Sequence, residues 1–422
     1  VANRAIELYL QKKSENEGWE RQINGLSNNE KANLLLEKHT FKELLADVEQ
    51  RNLQNNIVGL EASRLFARSE INMGVDAFRD SLYAMLKRNT FLNIKFENML
   101  DTLGEMSRTD LYSYLKEWEQ LTPLPFYSIG EPELTKVVNK GGEEFFVLKV
   151  LVSNNSDYDG IIQMNVLQNG WWYQPMEDPR ARKKVEIAAH TSKEFVSVWE
   201  EQIRDVEINT MVSGNLPYMI RQSIGNVKQE RNKIVKDTIY TLPESSLEMP
   251  GEVIVDNEDS TLFVLSTPAV VGLLPKWLDK VEDTSFKYSG ISWWRAPLQW
   301  TATTNAKYYG KYIRSAYVIK SGDGSQTATW KIPVPEAGQY ELYYHVFKDD
   351  ELRWNDRLQG EYHFRVAYDS EMEDAYINLR KANEGWEQLG TYYFSADTVR
   401  VMLTDECKLR SVTADAVKIV KR

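Results

Sequence analysis

Two prolines separated by a single residue, Pro123 and Pro125, divide this chain into a helical part and a strand-forming part. Proline removes a backbone donor and disfavours the helical conformation of the preceding residue, so a helix should end here. Before this segment, apolar residues recur every three or four positions, and after it apolar and polar residues alternate. The chain is therefore expected to be a multi-domain α+β protein.

The part that precedes Pro123 has the periodicity of an α-helical domain, and we assign residues 1–125 to it. Ser107 or Thr109 is expected to cap the last predicted helix, because a hydroxyl can accept from the free N–H groups of the first turn. The predicted helices cover residues 30–49, 56–68, 75–89 and 107–118.

The middle part predicts a small antiparallel β-sandwich over residues 126–215, because several short alternating runs are separated by turn residues. The stretch 216–250 is polar and includes a run of charges, which is typical of a linker. The predicted strands cover 144–152, 161–167, 193–199 and 206–210.

Residues 251–422 are dense in alternating runs and glycine-containing turns, which predicts a C-terminal β-sandwich or jelly roll. The expected strands cover 328–334, 338–347, 362–368, 386–394, 398–403 and 414–420. In this pattern Trp330 and Trp386 stand inside strands, so both are expected to fill the core.

Composition excludes several classes of function. A formal net charge of -11 is a poor fit for a nucleic-acid partner, which needs a basic surface. No run of eighteen or more apolar residues is present, and Cys407 stands alone, so neither an internal disulfide nor a cysteine-based zinc site is expected. The chain begins with Val1 rather than Met, and we expect it to be a piece of a longer protein.

No complete catalytic centre is recognisable, so we predict that this chain is not an enzyme and needs no cofactor. The sequence has neither a nucleophile elbow nor a phosphate-binding loop. No two of its four histidines have the spacing of a helical zinc site, although His345 and His363 could meet across a sheet. Paired carboxylates for glycosidic chemistry need only spatial proximity, and nothing singles out a pair.

An acidic cluster, Asp256, Glu258 and Asp259, has the hard oxygen ligands that calcium prefers. The same pattern is common in plain exposed turns. We favour the turn and keep calcium as the alternative.

The richest constellation is aromatic. Sugar rings stack their C–H faces on flat aromatic side chains, and neighbouring polar groups fix their orientation. The candidate ligand-binding residues are Trp293, Trp294, Trp354, Tyr308 and Tyr312, most of which lie in loop-like stretches.

The C-terminal segment resembles the golvesin C-terminal-like domain, also labelled xanthan-lyase-like. The matching stretches are 309–316, 328–330, 335–340, 385–391 and 414–417. This resemblance implies a β-sandwich appended to secreted or surface proteins, often beside polysaccharide-active enzymes. No set of binding residues carries over from it.

The first half resembles the part of a thermolysin-like zinc aminopeptidase that follows the zinc site. The matching stretches are 74–80, 90–91, 111–126 and 147–160. The zinc-binding His-Glu-x-x-His motif of that family is absent here. The resemblance therefore implies a portion downstream of an active site, in a family whose members are sometimes fused to membrane transporter subunits.

Three functions fit these observations. The first is a non-catalytic downstream portion of a larger extracytoplasmic, membrane-tethered peptidase-like protein that positions or binds a substrate, with the upstream part as its partner. The second is a carbohydrate-binding module of a surface polysaccharide-degrading system. The third is a purely structural or protein-binding assembly. The expected ligand is accordingly a glycan or a peptide.

Overall fold

A computed structural model of the protein describes residues 2–10, 17–90, 92, 95–116, 118, 120–121, 123–167, 178–231, 235–245, 247, 251–266, 286–291, 295–348 and 360–422. The chain forms two compact units, and neither is continuous in sequence. The first comprises Val1–Glu15 and Asn28–Leu247, and the second comprises Asn16–Ser27 and Glu248–Arg422. The predicted multi-domain α+β class is confirmed.

The helices are α1 (Ala2–Leu10), α2 (Glu17–Asn24), α3 (Asn28–Leu36), α4 (Phe41–Ala46), α5 (Gln54–Met73), α6 (Val75–Arg88), α7 (Phe96–Ser107) and α8 (Leu111–Lys116). Predicted helices 56–68 and 75–89 are confirmed as α5 and α6. None of the described helices combines the length and the hydrophobicity needed to cross a bilayer.

The predicted helix 30–49 is instead two helices, because Thr40 starts a new one. The Thr40 hydroxyl accepts from the Glu43 N–H at 3.2 Å, and the Glu43 carboxylate accepts from the Thr40 N–H at 2.8 Å. This reciprocal capping box satisfies the first free donors of α4. Residues 37–40 therefore form a connection rather than a continuous helix.

The N-cap predicted at Ser107 or Thr109 is wrong. Ser107 is the last residue of α7, a helix that was not predicted. Arg108 takes the left-handed conformation that ends α7. The next helix is capped by Asp110, whose carboxylate accepts from the Ser113 N–H at 3.0 Å.

The strands of the first unit form two sheets around one core. They are β1 (Tyr127–Ile129), β2 (Glu133–Val138), β3 (Glu144–Asn154), β4 (Gly160–Leu167), β5 (Arg182–Ile187), β6 (Thr191–Trp199), β7 (Asp205–Asn209), β8 (Met219–Ser223), β9 (Val227–Arg231) and β10 (Thr238–Pro243). One sheet has the order β10-β6-β3-β2-β9, with β1 also paired to β3, and the other has the order β5-β4-β7-β8. The predicted middle β-sandwich is thus present, and its core includes Tyr127, Leu148, Ile162 and Phe195.

The linker predicted over 216–250 is wrong, because three strands lie within this segment. Strand β8 pairs with β7, β9 pairs in parallel with β2, and β10 pairs with β6. All three lie at sheet edges, and the side chains of β9 and β10 are largely exposed. Edge strands can be polar on both faces, so this segment lacks the alternation by which strands are recognised.

The second unit contains β11 (Glu252–Val255), β12 (Phe263–Leu265), β13 (Thr301–Thr304), β14 (Ser315–Lys320), β15 (Thr327–Pro333), β16 (Gly338–Val346), β17 (Glu361–Tyr368), β18 (Glu371–Asn378), β19 (Gly385–Phe394), β20 (Thr398–Thr404), β21 (Ser411–Ala414) and β22 (Val417–Lys421). A four-stranded sheet has the order β11-β22-β16-β19, and a five-stranded sheet has the order β12-β15-β20-β17-β18. Strands β13, β14 and β21 form a third, small sheet.

One apolar core joins these sheets, as the alternation predicts. Trp330, Tyr344 and Phe364 have no exposed surface, which confirms the core position expected for Trp330. Helix α2 is followed by a turn that also belongs to this unit. The Gly25 carbonyl accepts from the Thr304 hydroxyl at 2.9 Å, and Gly25 has a φ of 79°, which favours glycine.

Gly160, at the start of β4, marks a point where the first unit tolerates no side chain. A Cβ there would lie 1.8 Å from the Tyr127 hydroxyl oxygen and 2.6 Å from Pro125 Cγ. Because Tyr127 is fully buried, Gly160→Ala should lower the free energy of unfolding by about 2 kcal/mol or more. Urea unfolding measures this. Gly225→Ala is the matched control, because a Cβ there meets nothing within 4 Å. Equal stability of the two variants would contradict the expectation.

A histidine on the surface of the first unit should make its stability depend on pH. His190 Nε2 lies 2.7 Å from an Asp157 oxygen and Nδ1 lies 2.7 Å from a Glu244 oxygen. Both ring nitrogens can donate at the same time only when the imidazole is protonated. The hydrogen bond to Asp157 and, after it, the hydrogen bond to Glu244 therefore raise the pKa of His190.

The stability that His190 contributes should be fully present below the unfolded-state pKa of about 6.5 and lost as pH rises through the raised folded-state pKa. The gap in urea midpoint between the wild type and His190→Gln should therefore be widest at acidic pH and shrink through neutrality. His39→Gln serves as the control. A gap that does not vary with pH would contradict this assignment.

Candidate functional site

The predicted stacking residues do not form one platform among the described residues. Trp293, Trp294 and Trp354 lie outside the described residues and stay predictions. Tyr308 is only 5% exposed and packs against Phe347, with ring centroids 4.7 Å apart. A ring held in this way has no open face, so the stacking role predicted for Tyr308 is not supported.

Tyr312 is partly exposed, and the Lys311 ammonium lies 5.6 Å from its ring centroid. A cation next to a ring face contributes favourable electrostatics and does not prevent ligand contact. The ligand-binding role of Tyr312 stays a prediction.

The acidic cluster at 256–259 forms a hydrogen-bonded turn. The Asp259 carboxylate accepts from the Thr261 N–H at 3.0 Å and from the Thr261 hydroxyl at 2.7 Å. Glu258 accepts from Tyr288 at 3.0 Å, pairs with Lys287 at 2.5 Å, and also accepts from the Ser315 hydroxyl. In the described part of the chain, no three acidic, histidine or cysteine side chains converge as metal ligands would. The geometry fits a turn.

Asp256 is different from the other carboxylates of this turn. Its pKa is raised well above the usual range, first because burial disfavours the charged form, and then because Asp415 and Glu258 repel a further negative charge. This coupling connects the turn to a more deeply buried carboxylate, Asp415.

Asp415 is a fully buried carboxylate at the break between β21 and β22. Its oxygens accept from the Tyr309 N–H at 3.1 Å and lie 2.8 Å from His345 Nδ1. Its backbone carbonyl accepts from Trp330 Nε1 at 3.2 Å. Burial raises the pKa of Asp415, and the adjacent His345 opposes that shift.

This break corrects the single strand predicted over 414–420. Strand β21 pairs with β14 in the small sheet, whereas β22 pairs with β16 and β11 in the four-stranded sheet. The chain changes sheets at Asp415. An aspartate inside an apolar run is the sequence signal that could have indicated this position, because buried charges require partners.

On the solvent side of Asp415, three rings form what we call the outer aromatic cluster: Tyr309, His345 and Trp386. The Tyr309 and Trp386 ring centroids are 5.0 Å apart, those of His345 and Trp386 are 5.1 Å apart, and those of Tyr309 and His345 are 5.8 Å apart. Tyr309 and Trp386 are partly exposed, and the His345 side chain is 12% exposed. His345 and Trp386 are directly opposite each other on β16 and β19.

The core position predicted for Trp386 is wrong, and a β-bulge is the reason. Leu342 pairs with Gly390, but Tyr343 pairs with Gln388, so Leu389 is an extra residue in β19. One extra residue inverts the faces of a strand beyond it. Tyr392 therefore lies in the core, whereas Trp386 lies on the outer face.

A cation borders the outer aromatic cluster. The Lys418 ammonium lies 4.9 Å from the Trp386 ring centroid and 5.3 Å from that of Tyr343. It also pairs with Glu252 at 2.9 Å. Flat rings thus adjoin charged and hydrogen-bonding groups on one outer face, an arrangement suited to recognising a ligand with both apolar and polar faces.

His345 and His363, which the sequence allows to meet across a sheet, do not meet. His345 is on β16 of the four-stranded sheet, and His363 is on β17 of the five-stranded sheet. His363 lies 2.8 Å from an Asp374 oxygen and 3.2 Å from a Glu406 oxygen. Its ring stacks on Tyr376 at 4.9 Å.

Comparison with known families identifies part of the chain. Residues 294–421 match the family described as the Golvesin C-terminal domain, which confirms the resemblance of the C-terminal segment. The match covers β13 to β22 and every member of the outer aromatic cluster. The aminopeptidase resemblance of the first half stays a prediction. None of the curated proteins compared with this sequence matches it.

Comparison with solved structures gives only weak likenesses. Bacteroides uniformis beta-glucuronidase 2, covalently bound to cyclophellitol-6-carboxylate aziridine, is 10% identical with a TM-score of 0.20, and the alignment covers 74% of this chain and 31% of that one. Another Bacteroides uniformis beta-glucuronidase structure is 11% identical with a TM-score of 0.20, covering 75% and 32%. A Sulfolobus Turreted Icosahedral Virus structure is 10% identical with a TM-score of 0.15, covering 70% and 92%.

This chain therefore spans about a third of the length of the beta-glucuronidase chains. TM-scores this low do not establish a shared architecture.

Replacing Asp415 should reveal how much the second unit depends on it. Asp415→Ala removes the acceptor for the Tyr309 N–H and for His345, and should cost about 3–5 kcal/mol of unfolding free energy. Asp415→Asn should cost less, because its side-chain oxygen still accepts from Tyr309. Guanidinium unfolding of both variants measures the difference. An alanine variant within about 0.5 kcal/mol of the wild type would show that the carboxylate is dispensable.

Proposed function

We propose that this chain is a non-catalytic accessory protein whose C-terminal sandwich binds carbohydrate through the outer aromatic cluster. The observation that carries the proposal is the grouping of Tyr309, His345 and Trp386 as partly exposed rings within 6 Å of one another on one outer face. The face of the Trp386 ring would stack on the apolar face of a sugar, and His345 and Lys418 would hydrogen-bond its hydroxyl groups.

The Asp415 centre supports this proposal by fixing the cluster in place. Asp415 holds both the His345 ring and the backbone of Tyr309, so two of the three rings are oriented before a ligand arrives. A preorganised site loses less conformational entropy on binding. The match to the Golvesin C-terminal domain, an accessory type of domain, fits a binding role rather than a catalytic one.

We further propose that the chain is the downstream portion of a larger extracytoplasmic, membrane-tethered, peptidase-like protein. The order of elements in the first unit favours this, because helices α3 to α8 come before the β1–β10 sandwich and belong to the same compact unit. In that setting the cluster would hold a glycan for the upstream part. A peptide remains the alternative ligand.

Affinity electrophoresis against galactomannan, xyloglucan, dextran and laminarin tests the carbohydrate proposal. The wild type should be retarded by at least one of these polysaccharides. Trp386→Ala should weaken binding about tenfold or more, since it removes the central stacking surface. Tyr240→Ala, which removes a 50% exposed aromatic ring from the first unit, should bind like the wild type. Circular dichroism confirms that both variants are folded.

Two outcomes would contradict the carbohydrate proposal. The first is the absence of any retardation of the wild type. The second is a folded Trp386→Ala variant that binds like the wild type, since this would place the ligand elsewhere. Binding of unstructured peptides that depends on Trp386, with no polysaccharide bound, would favour the peptide alternative.

A further inference from the structure

The outer face of the five-stranded sheet carries a row of side chains whose order follows from the strand register. Core residues alternate with outward ones along each strand, because successive side chains point to opposite faces. On β15 and β20 the core residues are Trp330, Ile332, Val399 and Val401. The residues between them therefore point outward, and across four successive strands the row reads Lys331, Arg400, Ala367, Met372.

Two like charges face each other directly in this row. Lys331 and Arg400 are paired residues on adjacent antiparallel strands. Like charges in this position repel, and such a pair normally has a carboxylate nearby. Within the described ranges, neither side chain has an acidic partner within 4.0 Å, although the chain has 62 acidic residues against 51 Lys and Arg. Among the described residues, no carboxylate therefore compensates this positive pair.

A third cation extends the positive surface into the neighbouring row. Arg365 is opposite Met402, two residues along β20 from Arg400. Its contact with a carboxylate is long, 3.9 Å to Asp374, and its side chain is 42% exposed. Asp374 also lies 2.8 Å from His363, so its charge is shared between two cationic or hydrogen-bonding groups.

Apolar contact surface adjoins these cations. Met372, at the end of the row, is 61% exposed, and Tyr376 on the same strand is 57% exposed. The Tyr376 ring lies flat on His363, with an interplanar angle of 9°. Both side chains therefore offer apolar contact area beside the three cations. With strands about 4.8 Å apart, the row from Lys331 to Met372 spans about 14 Å.

We propose that this face, made by Lys331, Arg400, Arg365, Met372 and Tyr376, is a binding site for an acidic polysaccharide. Carboxylate or sulfate groups of the polymer would pair with the three cations, and its sugar rings would lie against Met372 and Tyr376. A row that crosses four strands, with a third cation in the neighbouring row, suits an extended polymer that carries several charges. The choice of a carbohydrate rests on the proposed function, but the site is on a different sheet from the outer aromatic cluster.

Isothermal titration calorimetry of the full chain tests the proposal with polygalacturonate, alginate and chondroitin sulfate. The key comparison is polygalacturonate against its fully methyl-esterified form, which keeps the backbone and removes the charge. The wild type should bind at least one acidic polymer, prefer acid to ester, and bind more weakly as NaCl is added. The double variant Lys331→Gln/Arg400→Gln should bind about tenfold more weakly or worse.

The matched control is Lys87→Gln/Arg88→Gln, which removes the same charge from an exposed part of α6 and should bind like the wild type. Failure of the wild type to bind any of the three acidic polymers would overturn the proposal. Equal affinity for polygalacturonate and its methyl ester would also overturn it. So would a loss of affinity in the control variant as large as that in Lys331→Gln/Arg400→Gln, or binding of polyglutamate or single-stranded poly(dT) as tight as that of the acidic polysaccharide.

Trp386→Ala distinguishes this site from the outer aromatic cluster. If both proposals hold, Trp386→Ala no longer binds the neutral polysaccharide but still binds the acidic one. Lys331→Gln/Arg400→Gln still binds the neutral polysaccharide but binds the acidic one weakly. If Trp386→Ala abolishes binding of the acidic polysaccharide and Lys331→Gln/Arg400→Gln does not, the acidic polysaccharide binds at the outer aromatic cluster. That result would overturn the assignment of this face.

Discussion

The second unit depends on one carboxylate with no exposure to solvent. Burying Asp415 costs free energy unless its oxygens are paired, and they are paired with the Tyr309 N–H and His345. Its backbone carbonyl meanwhile accepts from Trp330, a central residue of the core. A single position thus connects the core, the change of sheet between β21 and β22, and the ring positions on the outer face.

The bulge at Leu389 adds the second requirement of the candidate site. Without the extra residue, alternation would place Trp386 in the core with Tyr392. With it, Trp386 lies opposite His345 and the outer aromatic cluster forms. A small irregularity in one strand pair therefore decides which aromatic side chains fill the core and which are available to a ligand. This agrees with the frequent occurrence of bulges at functional positions.

The fold class, helices α5 and α6 and strands such as β15 and β17 could be predicted from the sequence, because each of these elements has one buried face and keeps a regular period. The edge strands β9 and β10 could not, since both of their faces meet solvent. The site was harder to predict for a different reason. Asp415, His345 and Tyr309 are far apart in sequence, and the face on which Trp386 lies is set by a bulge that leaves no periodic signal. Tyr308 shows the converse, since a tyrosine predicted to contact a ligand is buried against Phe347.

The assignment of Asn16–Ser27 to the second unit has a consequence for how this chain is made and cut. During synthesis this segment leaves the ribosome before Asn28–Leu247 of the first unit, yet the strands that it joins are completed only at Lys421. It can therefore pack with those strands only after Asn28–Leu247 has emerged. A truncation that begins at residue 250 would leave the second unit without the turn at Gly25, which accepts a hydrogen bond from Thr304. The boundary between the two units is thus not a single point in the sequence.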